Sequence, residues 1–111
     1  MGYCVDCLEC TLEIENVDLF MKLAGEEDYS RAMEDILGDF GFECDLPTSG
    51  RYPLLWIGEK YGRWVEDCLR QLAPSFVDGG YVSFIGEDLF IWRILVSDGE
   101  IEIKEGRVVF D

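Results

Sequence analysis

From Tyr81 to Phe110 the chain reads as short apolar and aromatic segments cut by acidic, glycine-containing turns: YVSFI, GED, LFIWRILV, SDG, EIEIK, EG, RVVF. Segments of this length, rich in β-branched and aromatic residues and closed by Asp-Gly and Glu-Gly, predict an antiparallel meander of four strands. Leu89 to Val96 is apolar on both faces apart from Arg93, so it is expected to lie inside the sheet. Ile101 and Ile103 should face inward, with Glu100, Glu102 and Lys104 outward. Everything upstream has to pack on this scaffold.

Upstream, Leu8, Cys10, Leu12 and Ile14 alternate with Glu9, Thr11, Glu13 and Glu15, which predicts one half-buried strand over 8–15. Asn16 breaks it, and Val17 to Ala24 is a short helix ending at Gly25. Tyr29, Ala32, Met33, Ile36, Leu37 and Phe40 recur at helical spacing, with Gly41 placed as a left-handed cap. Phe42 to Leu46 alternates again, Pro47-Thr48-Ser49-Gly50 is a turn, and Arg51 to Ile57 is a further strand. Tyr61, Trp64, Val65, Cys68, Leu69 and Leu72 form the apolar stripe of a last helix, which Pro74 ends. On its outer side Glu66 precedes Arg70 by four, a favourable exposed pair. The order predicts a single α+β domain over residues 1–111: a mostly antiparallel sheet with a C-terminal four-strand meander and three helices packed on one face.

Charge narrows the partners. Twenty-four Asp and Glu oppose nine Lys and Arg, for a net charge of −15. Such a chain repels nucleic acid and anionic membrane and is steered toward basic surfaces. The nine basic residues are isolated, without the cluster that phosphate contacts require, so direct nucleic-acid binding is not expected. No segment approaches the roughly 20 apolar residues of a membrane span, and the N-terminus lacks the basic start and apolar run of a secretion signal. Five cysteines, an odd number, fit a reducing cytoplasm.

Catalytic signatures are sparse. With no histidine, the usual general base and the Ser-His and Cys-His nucleophile pairs are missing. There is no nucleophile elbow, phosphate loop, dinucleotide fingerprint or calcium loop. Neighbouring carboxylates such as Glu34 with Asp35 do not face one another on a helix. No enzymatic activity is therefore expected. Cys4, Cys7 and Cys10 are spaced as zinc and iron–sulfur sites begin, and a fourth ligand would have to be Cys44 or Cys68. Cys10 and Cys44 share the inward parity of their strands, however, and Cys68 lies in the helical stripe. Burial as a small hydrophobe accounts for these three, and no metal or cofactor is expected. Arg93 is the one basic residue in an apolar setting, expected in an ion pair or stacked on Trp92 or Trp56.

The acidic surface itself remains. Glu9, Glu13 and Glu15 fall on one face of the first strand, the last two about 7 Å apart at roughly 3.4 Å rise per residue. Glu26, Glu27 and Asp28 open the next helix. These six are the expected partner-binding residues, because rows of carboxylates can compete for a groove that otherwise holds nucleic-acid backbone.

Leu72-Ala73-Pro74, Val77-Asp78-Gly79-Gly80-Tyr81, Phe84, Gly86-Glu87-Asp88 and Trp92-Arg93 together resemble a pattern in small acidic, uncharacterised proteins of phages, prophages and gut bacteria. The resemblance covers residues 72 to 93. It departs at Leu89, where the pattern has Gly, so a looser turn is expected there. The resemblance implies a bacterial or mobile-element context and no catalytic residue. In that context short acidic proteins often bind host proteins, anti-CRISPR and anti-restriction inhibitors among them. The expectation is a cytoplasmic, non-enzymatic protein-binding module of phage or mobile-element type, acting against a basic protein surface. A small Cys-ligated metal protein and a structural or assembly protein are the alternatives.

Overall fold

Period-two alternation and aspartate–glycine turns set the C-terminal sheet. The computed structural model describes residues 3–28, 31–32, 34, 37–45 and 50–106. In it, β6 (Tyr81–Gly86), β7 (Ile91–Ser97) and β8 (Glu100–Gly106) form an antiparallel meander; their labels follow chain order. A two-residue loop joins β7 to β8, with Asp98 at φ 54° and Gly99 at φ 76°. Positive φ at both central positions is the turn that matches strand twist, and Asp-Gly is its preferred pair. The expected Glu105-Gly106 turn is not there: β8 runs on through both residues, which pair with Trp92 and Ile91. The expected fourth strand, 107–110, lies outside the described residues.

β1 (Tyr3–Cys10) and the two-residue β5 (Lys60–Tyr61) complete a five-stranded sheet in the order β5-β1-β6-β7-β8. A smaller sheet has the order β2-β4-β3, built from β2 (Glu13–Ile14), β3 (Phe42–Cys44) and β4 (Tyr52–Trp56). The single strand expected over 8–15 is thus two strands in two sheets. Two features explain the difference. A bulge between Cys7 and Glu9 leaves Leu8 unpaired, so Leu8 is exposed and not inward as its parity suggested. At Thr11–Leu12 the chain then changes partner: Thr11 N–H donates to Tyr81, while the Leu12 carbonyl accepts from Leu54 N–H at 2.8 Å.

Three helices occur among the described residues. In α1 (Val17–Ala24), Asn16 caps the N-terminus by accepting from Leu19 N–H at 3.0 Å, and Gly25 closes the C-terminus at φ 73°. Of the second expected helix, Tyr29, Met33 and Ile36 lie outside the described residues. Ala32 and Leu37 are fully buried, and α2 (Leu37–Asp39) is its last turn. Gly41 is at φ 91°, and an added Cβ would stand 2.7 Å from the Trp56 ring, so this position admits only glycine without rearrangement. The last helix, α3 (Arg63–Leu72), buries Val65, Cys68, Leu69 and Leu72 and passes into a 3₁₀ turn, Ala73–Ser75, at Pro74. Tyr61 precedes the helix in β5, and Trp64 is exposed, so neither joins the stripe that their spacing suggested. Gln71 Nε2 ties α3 to the Leu23 carbonyl of α1 at 2.6 Å.

The core lies between the inner face of the large sheet (Val82, Phe84, Trp92, Ile94, Val96), the small sheet (Ile14, Phe42, Leu54) and the helices. Its centre is aromatic. Phe84 sits 4.9 Å from Trp56, 5.1 Å from Tyr61 and 5.6 Å from Trp92, between ring centroids. The fold is α+β, as the order of elements predicts.

The β6–β7 connection is closed, not loose. Leu89 N–H donates to Gly86 O and Gly86 N–H to Phe90 O, both at 2.9 Å, and Phe90 N–H donates to Asp88 Oδ1. Leu89 itself is at φ 66°, the left-handed region where the resembled pattern has Gly. That conformation costs an L-residue about 1–2 kcal/mol, and Leu89 is exposed, so its side chain returns little burial. Leu89→Gly is therefore expected to stabilise the protein by about 0.5–1 kcal/mol once glycine's extra chain entropy is subtracted. A rise in the urea midpoint checks this; a fall would show that Leu89 has packing contacts worth more than its strain.

Candidate functional site

The six acids expected to bind a partner do not form one row. Glu9 is on β1, on the outer face of the large sheet. Glu13 is on β2 opposite Pro53, and Glu15 follows at the start of the turn into α1. The Glu26 carboxylate accepts from the N–H groups of Glu27 and Asp28, both at 3.1 Å, and Asp28 accepts from Arg31 N–H. These last three therefore shape their own turn, with Glu27 and Asp28 exposed and Glu26 half-buried. The handover at Thr11–Leu12 is what divides the first strand's acids between two sheets.

On the outer face of the large sheet, β-pairing lines up Glu9, Ser83, Arg93 and Lys104 across four strands. The Arg93 guanidinium lies 3.9 Å over the Tyr81 ring, and its Nε donates to Ser83 Oγ at 2.8 Å. The Tyr81 hydroxyl in turn donates to Glu9, and that bond holds the hydroxyl above its ordinary titration range. Arg93 thus stacks on Tyr81, not on Trp92 or Trp56. The reason is register: Trp92, its neighbour in β7, points to the opposite face, whereas Tyr81 sits diagonally across β6 on the same face. A groove of about 440 Å³ runs beside this row, bordered by Leu8, Glu9, Ser83, Arg93, Lys104 and Glu105.

A second concavity opens on the edge of the aromatic core. Tyr61, Phe90, Trp92 and Ile103 form its apolar lining; Glu66, Asp88 and Glu105 add three carboxylates; its volume is about 320 Å³. β7 supplies Trp92, the β6–β7 turn Asp88 and Phe90, β8 Ile103 and Glu105, β5 Tyr61 and α3 Glu66. Phe90 stacks on Trp92 at 5.8 Å and 29°, and Tyr61 meets Trp92 edge-on at 4.8 Å. The Tyr61 hydroxyl donates to Glu66 Oε2 at 2.7 Å. Burial first, and then the Glu66 carboxylate, hold Tyr61 protonated well above the usual phenol range. Arg70, expected to pair with Glu66, is instead bound to Asp67 at 3.0 Å. Tyr61 claims Glu66 because β5 delivers it directly to the first turn of α3. The Glu105 carboxylate has no hydrogen-bond or ion-pair partner among the described residues. Sequence reasoning missed this pocket because its residues are scattered from position 61 to 105 with no common spacing.

The thiols do not converge. Cys4 is exposed, and three residues along a strand from Cys7 it projects from the opposite face. Cys7 and Cys10 pack against the core, Cys10 donating from Sγ to the Leu54 carbonyl at 3.3 Å. Burial pushes the Cys10 thiol up to about 11 and that of Cys68 to about 12, and raises Cys7 and Cys44 as well. The thiolate, which is the ligand and nucleophile, is thereby disfavoured at all four. Among the described residues no group of three or more Cys, Asp or Glu is arranged to hold a metal ion. Nor is any helix long and apolar enough to cross a membrane, among the same residues.

These features define a small, strongly acidic α+β protein with one open sheet face and one carboxylate-rimmed aromatic pocket. Compared with protein-family models, with curated proteins and with solved structures, the chain finds no match.

Proposed function

We propose that this protein is a non-enzymatic binding module that uses its acidic surface against a basic protein partner. The observation that carries the reading is the fifteen net negative charges, which remain even if every Lys and Arg in the chain neutralises a carboxylate. Net charge of that size gives a long-range field that steers association with positive surfaces. Glu9, Glu13, Glu15, Glu26, Glu27 and Asp28 are its candidate contacts, distributed over both sheets and the turn after α1. The resemblance in residues 72–93 supports a phage or mobile-element context. The specific form proposed is an anti-defence inhibitor, of anti-CRISPR or anti-restriction type, competing for a nucleic-acid-binding groove.

The test is capture of nucleic-acid-binding complexes from bacterial lysate on the immobilised protein at 0.1 M and 1 M NaCl. Over that range the screening length falls from about 10 Å to about 3 Å. The captured partner should be released by the high salt and displaced by its own nucleic acid. A partner that stays bound in 1 M NaCl, or one indifferent to nucleic acid, would overturn the reading.

A further inference from the structure

We infer that the pocket between Tyr61, Phe90 and Trp92 receives the guanidinium of an arginine side chain from a protein partner. The inference rests on the proposed binding function for its partner class and adds the chemistry of one contact. Three properties of the pocket carry it. First, its lining is aromatic and reaches the surface: Phe90 and Ile103 are 44% and 41% exposed beside the nearly buried Tyr61 and Trp92. Phe90, stacked on Trp92 at 29°, leaves its own exposed ring surface for an incoming planar cation. Second, the carboxylates around it come from three separate elements, α3, the β6–β7 turn and β8, and so surround the aromatic lining on several sides. The Glu105 carboxylate is without a partner among the described residues, and the neighbouring cation Arg70 is occupied by Asp67. Third, about 320 Å³, at the low end for a binding pocket, is room enough for one side chain.

Among cations, guanidinium fits best. It is planar, weakly hydrated, stacks on aromatic rings and pairs with carboxylates through two parallel N–H groups. A lysine ammonium is a strongly hydrated point charge that loses more on entering an apolar lining.

The test titrates the ¹⁵N-labelled protein with acetyl-Gly-Arg-Gly-amide, following the three indole N–H resonances. The lysine and citrulline tripeptides serve as comparisons. The Arg peptide should shift the Trp92 signal, leaving Trp56 and Trp64 in place, and bind about fivefold or more tighter than the uncharged citrulline peptide. Glu105→Gln and Phe90→Leu, both at exposed positions, should each weaken it severalfold with the spectrum of the fold intact. Equal response to citrulline, no Trp92 shift, or variants that bind like the parent would overturn the inference. Failure here with salt-sensitive partner capture intact removes the arginine pocket and leaves the binding function standing. Peptide binding without any basic partner captured does the reverse.

Discussion

Phe84→Ala is expected to cost about 3–5 kcal/mol, the range for emptying a fully buried aromatic site. Phe84 is 0% exposed, and its ring touches those of Trp56, Tyr61 and Trp92, so truncation leaves a void that three rigid neighbours cannot close. Domains of this size have only about 5–15 kcal/mol of total stability, so a large part of the folded margin goes with one ring. Urea denaturation followed by tryptophan fluorescence measures it. Phe84→Leu, which keeps most of the volume, should cost much less. Equal losses in the two variants would mean that ring contacts, and not the filled volume, stabilise this centre.

Above pH 9 the protein should lose stability steeply. Cys68 is raised from 9.0 to about 12 and Cys10 from 9.0 to about 11, both chiefly by burial. A raised folded value means that the native state holds the proton more tightly than the unfolded chain. The contribution is complete below pH 9 and is lost as pH rises toward 11 and 12. Three pH units at 1.36 kcal/mol each bound the Cys68 term at about 4 kcal/mol; Cys10, less fully buried, contributes less. Tyr61 adds in the same direction above its ordinary 10.0, since burial and Glu66 both favour its neutral hydroxyl. In urea midpoints measured from pH 8 to 11, Cys68→Ala should begin less stable but decline more gently, by up to about 1.4 kcal/mol per unit. A parallel decline in both proteins would place the alkaline sensitivity elsewhere.

The acidic surface is a property of composition, and it was legible before any fold was known. Glu9 shows the limit of that view. Its carboxylate accepts from Tyr81, whose ring carries Arg93, so one expected contact residue is already part of a cross-strand set. The pocket was not legible at all. Glu66 looked like half of a helical ion pair and Glu105 like a turn residue, and Phe90 had no distinguishing neighbour.

Local signals determined the rest of what could be read. The Asp98-Gly99 turn needs two positive φ values, which that dipeptide supplies within four residues. Gly41 at φ 91° and the end of the helix before Pro74 are likewise short-range consequences of backbone sterics. The alternation of β7, with Trp92, Ile94 and Val96 inside and Arg93 outside, follows from the two-residue period of a strand. What only the tertiary structure decided is which strand pairs with which, and where a strand stops following its own pattern. One extra residue at Leu8 shifts the phase of β1, and at Thr11–Leu12 the hydrogen bonds pass from β6 to β4, some forty to seventy positions away in the chain. Pairing across such distances depends on what each face buries when the whole core assembles. For the same reason Tyr61, Phe90, Trp92 and Glu105 meet only in the folded molecule.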